Sequence, residues 1–194
     1  MILARLRDQT RCQHERVERS VNFPDRLQTI AGYRDLLARF YGYYAPLEHD
    51  LRRVIPAGLP DLDFQARAKA PLLARDLLAF GCNPETLASL PACSMLPPVS
   101  NVHQALGCMY VLEGATLGGQ QMRRLVQQRF GLDRESGCAF FTSYGDRVGG
   151  MWKNFCELLT AYASRDVGME DLIISAAAET FGTFENWIEG APKS

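Results

Sequence analysis

Apolar residues recur at three- and four-residue steps along most of the chain, a period typical of amphipathic α-helices. This pattern predicts helices over residues 2–21, 29–54, 64–80, 84–90, 102–130, 146–163 and 168–188. Residues 131–144 mix polar and aromatic side chains and are predicted to be irregular. Sustained alternation of apolar and polar residues, which marks strands, is almost absent. We therefore predict an all-α fold of seven or eight helices, forming one domain over residues 1–194.

The helix predicted over residues 102–130 contains more glycine than most helices tolerate. Gly107, Gly114 and Gly118 are spaced by seven and four residues, which places them within about 40° of one another on one helix face. Gly119 lies about 100° further round. Each interior glycine costs about 1 kcal/mol relative to alanine, so these glycines need an offsetting contact. Either another helix packs closely against this face, or a large flat ligand lies directly on the backbone.

The first helix carries a histidine in its apolar stripe. This stripe consists of Leu3, Leu6, Thr10, His14, Val17 and Val21. The spacing predicts that His14 is on the buried face, where a lone histidine is most often a core residue.

Two neighbours of His14 favour a second interpretation. Glu18, one turn later, is placed to accept a hydrogen bond from one imidazole nitrogen and to leave the other free as a metal ligand. Arg7 lies two turns earlier, about 10 Å along the helix axis. Together the three side chains suit a planar metal cofactor with acidic substituents. The alternative is that Glu18 and Arg7 form a solvated helix edge.

Composition and charge narrow the class of protein. The chain has 194 residues, 47% of them hydrophobic and 22% charged, with a net charge of −1, so nothing indicates nucleic-acid binding. No apolar run reaches the roughly 18 residues of a membrane span, and the charged start lacks the apolar core of a signal peptide. The six cysteines form no C-x-x-C pair, so we expect reduced thiols in a cytoplasmic protein.

Common catalytic motifs are absent from the sequence. It contains no dinucleotide-binding glycine loop, P-loop, HExxH zinc helix or GxSxG elbow. His49 is interpreted as a surface residue and His103 as a structural one. The candidate chemistry is therefore limited to His14 and the glycine-rich helix.

Two segments of the chain resemble the haem oxygenase family. Residues 6–18 are similar to the family's proximal helix, with Thr10 four residues before His14, Arg7 seven before it and Glu18 four after it. Residues 112–120, Leu-Glu-Gly-Ala-Thr-Leu-Gly-Gly-Gln, resemble the distal helix, most closely that of bacterial members which supply biliverdin to bacteriophytochromes. The resemblance implies an all-α fold in which haem is sandwiched between these two helices.

The resemblance also implies roles for particular residues. His14 would ligate the haem iron and Glu18 would orient it. Gly114, Gly118 and Gly119 would line the distal face. The cations that would pair with the haem propionates are Arg7 and, with looser alignment, Lys153.

The chain departs from the family pattern at two positions. Many members have aspartate after the first distal glycine, where it holds water that delivers protons, whereas this chain has Ala115. Proton delivery would then depend on water held by backbone groups at Gly114 and Gly118 and by other side chains, with Thr116 as a candidate. Glu157 stands where a basic residue is common, which affects how haem would be seated.

The implied activity is cleavage of haem, as both cofactor and substrate, to biliverdin, carbon monoxide and iron. It requires dioxygen and electrons from a separate donor such as a ferredoxin, flavodoxin or reductase, because the chain has no flavin or nicotinamide motif. A bacteriophytochrome is the expected acceptor of biliverdin. Two alternatives stay open: a non-catalytic haem carrier or sensor of the same fold, and a thiaminase-like hydrolase that uses a cysteine or carboxylates.

Overall fold

The computed structural model describes residues 1–165 and 168–190, and this part of the chain contains helices and no strands. The helices are α1 (Ile2–Val21), α2 (Phe23–Arg26), α3 (Ile30–Gly58), α4 (Ala70–Ala79), α5 (Pro84–Ala88), α6 (Val102–Phe130), α7 (Ala139–Thr142), α8 (Val148–Ala163) and α9 (Glu170–Glu189). Single turns of 3-10 helix occur at Gln65–Arg67 and Gly145–Arg147. The predicted all-α class is confirmed.

The structure corrects the helix predicted over residues 64–80. That region contains a 3-10 turn followed by α4, which begins only at Ala70. The carboxylate of Glu48 accepts hydrogen bonds from the backbone N–H groups of Lys69 at 2.6 Å and Ala70 at 3.2 Å. Pro71 occupies the first turn of α4, where its missing N–H costs no helical hydrogen bond. A buried carboxylate from another helix therefore sets where α4 starts.

The segment predicted to be irregular, residues 131–144, contains the short helix α7. The side chain of Asp76 accepts hydrogen bonds from Ala139 N at 2.6 Å and Phe140 N at 2.8 Å. This cap comes from α4, so the local sequence gives no sign of it. Counting α2 and α7, the described residues form nine α-helices rather than seven or eight.

Other boundaries lie within four residues of the prediction. Helix α3 continues to Gly58, four residues beyond the predicted end at residue 54. Both ends of α6 agree with the prediction. The Asn101 side chain accepts hydrogen bonds from His103 N and Gln104 N, and Gly131 ends the helix in the left-handed conformation with φ of 70°.

Helix α9 supports two other helices that do not pack extensively on each other. Both α1 and α6 pack along α9. Arg5 pairs with Glu170 at 2.6 Å and Arg16 with Glu185 at 3.0 Å, so α1 and α9 run in the same direction. Helices α3, α7 and α8 also contact α6. Consequently α9 holds both α1 and α6 in place, although those two helices make little contact with each other.

The core is rich in aromatic side chains, many of them from α3. Tyr33, Phe40 and Tyr44 follow one another at helical spacing on one face of α3 and are buried, whereas Ile30 at the start of the helix is 41% exposed. Phe40 packs edge-on against Phe140 with ring centroids 5.5 Å apart. None of the described helices is long and apolar enough to cross a membrane.

Candidate functional site

His14 lies at the surface of α1 and not on its buried face, which corrects the prediction from the apolar stripe. Ile2, Leu6 and Thr10 are buried, but the later half of the helix rises out of the core, and 56% of the His14 side chain is exposed. Its imidazole packs edge-on against Phe181 of α9, with ring centroids 5.7 Å apart. The ring is therefore supported on one side and open to a ligand.

Glu18 lies beside one nitrogen of the His14 ring. Its Oε1 atom is 3.8 Å from His14 Nδ1, longer than a hydrogen bond but close enough for the carboxylate to act on the ring's orientation. Because Glu18 is next to Nδ1, Nε2 is the nitrogen available to a metal. The two side chains are brought together as the i, i+4 spacing predicts.

The glycine stripe of α6 serves two different purposes. A Cβ atom on Gly107 would lie 2.3 Å from the carbonyl oxygen of Ile173 and 2.7 Å from the Cβ of Ala176. Close helix packing therefore explains Gly107. A Cβ on Gly118 would meet no atom within 4 Å, and one on Gly114 would make only an ordinary 3.7 Å contact with Trp152. At these two positions no neighbouring helix requires glycine.

Gly119 faces a different direction from Gly118. It is buried, and a Cβ there would lie 3.5 Å from the carbonyl oxygen of Phe141 in α7. The structure thus separates Gly119, on the inner side of α6, from the open face formed by Gly114 and Gly118.

A small cavity lies beneath this part of α6. Its volume is about 10 Å³, and it is lined by Tyr44, Lys69, Leu112, Ala115, Thr116, Gly119, Phe140 and Phe141. A space of this size is at the lower limit for one water molecule. Thr116 is buried, and its hydroxyl donates a hydrogen bond to the carbonyl oxygen of Glu113 at 2.7 Å. Burial raises the pKa of Tyr44, so its hydroxyl stays protonated.

The three buried side chains of Arg67, Lys69 and Glu113 and the half-buried side chain of Tyr144, which together we name the Glu113 cluster, lie behind the cavity. One carboxylate oxygen of Glu113 accepts from Arg67 Nη1 at 2.5 Å. The other accepts from Lys69 Nζ at 2.9 Å and from the Tyr144 hydroxyl at 2.6 Å. Burial is the main cause that lowers the pKa of Lys69, while the adjacent Glu113 opposes this change.

Sequence reasoning missed this cluster as a functional feature. The signal in the sequence was Glu113 itself, a charged residue that directly follows the apolar pair Val111-Leu112 in a buried part of the helix. Its cationic partners lie more than 40 residues away, just before α4, so spacing could not pair them.

The two candidate propionate partners are exposed cations. Arg7 is exposed, and its charge partly offsets the rise in the Tyr110 pKa that burial mainly causes. Lys153 is 80% exposed, with Nζ 3.9 Å from Glu157 Oε1. Glu157 therefore accompanies Lys153 instead of adding a second positive charge.

Among the residues that the structure describes, no three His, Cys, Asp or Glu side chains are grouped so as to hold a metal ion. All six cysteines are free thiols.

Comparison with protein families decides the relationship. The family model described as Heme oxygenase matches residues 1–190. The chain belongs to the haem oxygenase family. Members of this family bind haem as both substrate and cofactor.

The fold of this haem oxygenase family member is also found in a solved structure. The crystal structure of heme oxygenase 2 from Chlamydomonas reinhardtii without heme superposes with a TM-score of 0.79 over 98% of this chain and 97% of that chain. The two sequences are 19% identical, so this likeness shows the fold alone. No curated protein sequence matches the chain.

The residues present fit a haem group. His14 offers an exposed imidazole with a carboxylate at its other nitrogen. Gly114 and Gly118 offer a helix face on which no side chain projects, and nothing in the described chain fills the space above Gly118. Arg7 and Lys153 provide exposed positive charges for acidic substituents.

Proposed function

We propose that this chain is an active haem oxygenase that cleaves haem to biliverdin, carbon monoxide and iron. The observation that carries the proposal is Gly118, an exposed glycine inside a long helix with no protein atom near its face. Its cost of about 1 kcal/mol is not offset by helix packing, and a flat ligand lying on the backbone explains it. Haem, when bound, supplies the iron for dioxygen activation and the ring that is cut.

The chain's own residues would bind and orient the haem. His14 Nε2 would ligate the iron, while Glu18 beside Nδ1 would favour the tautomer that carries its proton on Nδ1. Gly114 and Gly118 would let one haem face approach the α6 backbone. Arg7 and Lys153 would bind the propionates as charge-assisted hydrogen-bond donors.

Thr116 and Tyr44 would hold a water molecule beneath α6 that could serve as a proton donor. The Thr116 hydroxyl uses its proton on the Glu113 carbonyl, so its oxygen can accept from a water in the adjacent cavity. The protonated Tyr44 hydroxyl can donate to the same water. This pair takes the place of the carboxylate that Ala115 lacks, and water-mediated hydrogen bonds of this kind are nearly as favourable as direct ones.

The electron donor would be a separate protein, such as a ferredoxin, flavodoxin or reductase. Bacterial origin and biliverdin supply to a bacteriophytochrome belong to the same proposal and rest on the likeness of residues 112–120 to that type.

Cys108 and Cys138 are poorly suited to serve as the nucleophile of a cysteine-dependent hydrolase. Burial raises the pKa of Cys108 to about 12 and that of Cys138 to about 11, whereas a nucleophilic cysteine needs a lowered pKa.

The test is the absorption spectrum of the protein with hemin before and after ascorbate is added, with catalase present to remove free peroxide. An active oxygenase forms a Soret band, which then decays as biliverdin absorption grows. A Soret band that persists would identify a carrier or sensor, and no Soret complex at all would contradict haem binding.

The His14→Ala variant tests the iron ligand. We expect it to keep its helix content, because the His14 side chain is more than half exposed, but to lose the normal ferric haem spectrum and turnover, because the proposed iron ligand is gone. Added imidazole should restore part of the activity. His49→Ala, an exposed histidine of α3, is the matched control. Full turnover in His14→Ala with an unchanged Soret band would overturn the assignment.

A further inference from the structure

The Glu113 cluster lies behind the open face of α6. Glu113 precedes Gly118 by five residues, so the two point about 140° apart around the helix. Glu113 is 1% exposed, while Gly118 is exposed with nothing near its face. Any rotation of α6 about its axis would move Glu113 away from its partners. The carboxylate therefore fixes the direction in which the glycine face points.

Arg67 connects this carboxylate to α8. Beyond its bond to Glu113, Arg67 donates from Nη1 to the carbonyl oxygen of Met151 at 3.2 Å and from Nη2 to Asn154 Oδ1 at 2.9 Å. Lys153, the candidate propionate partner on α8, lies between these two contacts in sequence and points outward. One guanidinium thus ties the rotation of α6 to the position of the helix that carries Lys153.

The Lys69 ammonium group makes three hydrogen bonds within the cluster. Lys69 Nζ donates to the Arg67 carbonyl oxygen at 2.5 Å and to the Tyr144 hydroxyl at 2.7 Å, in addition to Glu113. A network with all of its groups satisfied is rigid, and its geometry is set by directional bonds instead of by shape alone. The cluster therefore has little freedom to accommodate a displaced α6.

The backbone that delivers Tyr144 is strained. Ser143 has φ of 45° and ψ of −117°, which is unfavourable for any residue other than glycine, and its buried hydroxyl has no hydrogen-bond partner. Such a conformation persists only where surrounding contacts hold it. Buried charges likewise are often no more stabilising than apolar residues of similar volume. The strained backbone and the small net stabilisation expected of buried charges both indicate that the cluster fixes the relative positions of its helices and does not only stabilise the fold.

We propose that Glu113 is a positioning residue which, through Arg67, fixes the α6 glycine face relative to α8 and thereby determines which edge of the haem is cut. This inference rests on the proposed function. It adds that the specificity of ring opening is set by buried groups that never touch the haem.

Two sets of substitutions test the proposal. Arg67→Lys keeps the charge but cannot reach Glu113, Met151 and Asn154 together, because lysine lacks the planar fork of arginine. The triple variant Arg67→Met, Lys69→Met, Glu113→Leu replaces the charges by apolar groups. Leu51→Ala, which truncates a buried α3 residue outside the cluster, is the control for general loss of stability.

The readouts are the proton NMR spectrum of the ferric hemin–cyanide complex, whose haem methyl shifts report how the ring is rotated in its pocket, and the ratio of biliverdin isomers. In both cluster variants we expect bound hemin, a changed methyl pattern and an isomer ratio shifted by about tenfold, the size of coupling typical of residues in one network. Leu51→Ala should lower the melting temperature and leave both readouts unchanged.

Unchanged methyl shifts and isomer ratio in a folded cluster variant would overturn the inference and leave the cluster a purely stabilising feature. If the triple variant does not fold, Arg67→Lys decides. Wild-type protein that binds no hemin would overturn the proposed function itself. Wild-type protein that binds hemin without cleaving it leaves the methyl pattern as the decisive measurement for the role of Glu113.

Discussion

The two ends of the glycine stripe on α6 look alike in sequence and differ completely in their surroundings. Around Gly107 the backbone of α9 lies so close that a single added carbon would be 2.3 Å from a carbonyl oxygen. Around Gly118, about three turns further along the same face, an added carbon would meet nothing within 4 Å. One glycine is explained by the protein alone, and the other is not.

This difference identifies where a ligand is needed. A stripe of small residues by itself fits close helix packing as well as a ligand surface. The contacts around each glycine show that close helix packing explains Gly107 but does not explain Gly114 or Gly118. The remaining helix cost at Gly118 is what the proposed haem face would explain, and in that proposal α1 supplies His14 as the iron ligand.

The largest effect should come from Gly118→Leu. A leucine over the open face should block haem and weaken hemin affinity about 1000-fold, or about 4 kcal/mol, while the ligand-free protein is at least as stable as wild type, because leucine favours the helix more than glycine does. Hemin titration followed at the Soret band, together with urea unfolding of the ligand-free protein, measures both. Normal hemin affinity would show that this face is not the haem surface, and collapse of the ligand-free protein would remove the contrast with Gly107.

Gly107→Ala should destabilise the ligand-free protein by about 3 kcal/mol, the upper range for overpacking, because α6 and α9 must separate to admit the methyl group. Urea unfolding of the ligand-free protein gives the value. The matched control is Gly182→Ala in α9, where an added carbon meets nothing within 4 Å and alanine should instead stabilise. Equal stability of the two variants would mean that the close approach at Gly107 is not required.

A change of pH should alter the free energy of unfolding through groups near the Gly118 end of α6 more than through groups near the Gly107 end. Asp76 caps α7, which packs beneath Gly119, and burial raises the pKa of this carboxyl from 3.8 to about 6. The native state therefore holds the proton more tightly than the unfolded state. This contribution to stability is complete below about pH 3.8 and is lost as pH rises through about 6.

The difference in unfolding free energy between wild type and Asp76→Asn should accordingly shift in favour of wild type by about 2 kcal/mol between pH 7 and pH 4. Urea unfolding at several pH values measures it. A difference that is constant with pH would show that Asp76 does not titrate in this range.

The smallest expected effect is that of Gly118→Ala. Alanine should stabilise the ligand-free protein by up to about 1 kcal/mol, because the helix gains propensity and meets no obstacle. Thermal or urea unfolding beside Gly182→Ala provides the scale. A loss of stability would reveal a contact at Gly118 that the open geometry does not contain.

Elements with local signals could be predicted from the sequence. The bounds of α6 follow from Asn101 and Gly131, which act within a few residues of the helix ends. Helix α1 and the pairing of His14 with Glu18 follow from helical spacing in the same way. The family resemblance is carried by the same two helices.

Features set by distant residues could not be predicted. Helix α7 exists because Asp76 caps it from 63 residues away, and α4 starts where Glu48 reaches it from α3. The partners of Glu113 are equally remote. The apolar stripe wrongly predicts a buried His14. Periodicity shows which side of a helix is apolar, but it does not show how far along the helix the core extends.

The support of α1 and α6 by α9 has a consequence for synthesis of the protein. The strongest contacts of α1 join residues about 165 positions apart, such as Arg5 with Glu170. At translation speeds of about 5–20 residues per second, α1 emerges roughly ten seconds or more before α9. Throughout that time α1, which carries His14, cannot pack on α9. The nascent chain therefore cannot bring α1 and α6 into their final positions, and any binding of haem between them must wait until nearly all of the described chain has left the ribosome.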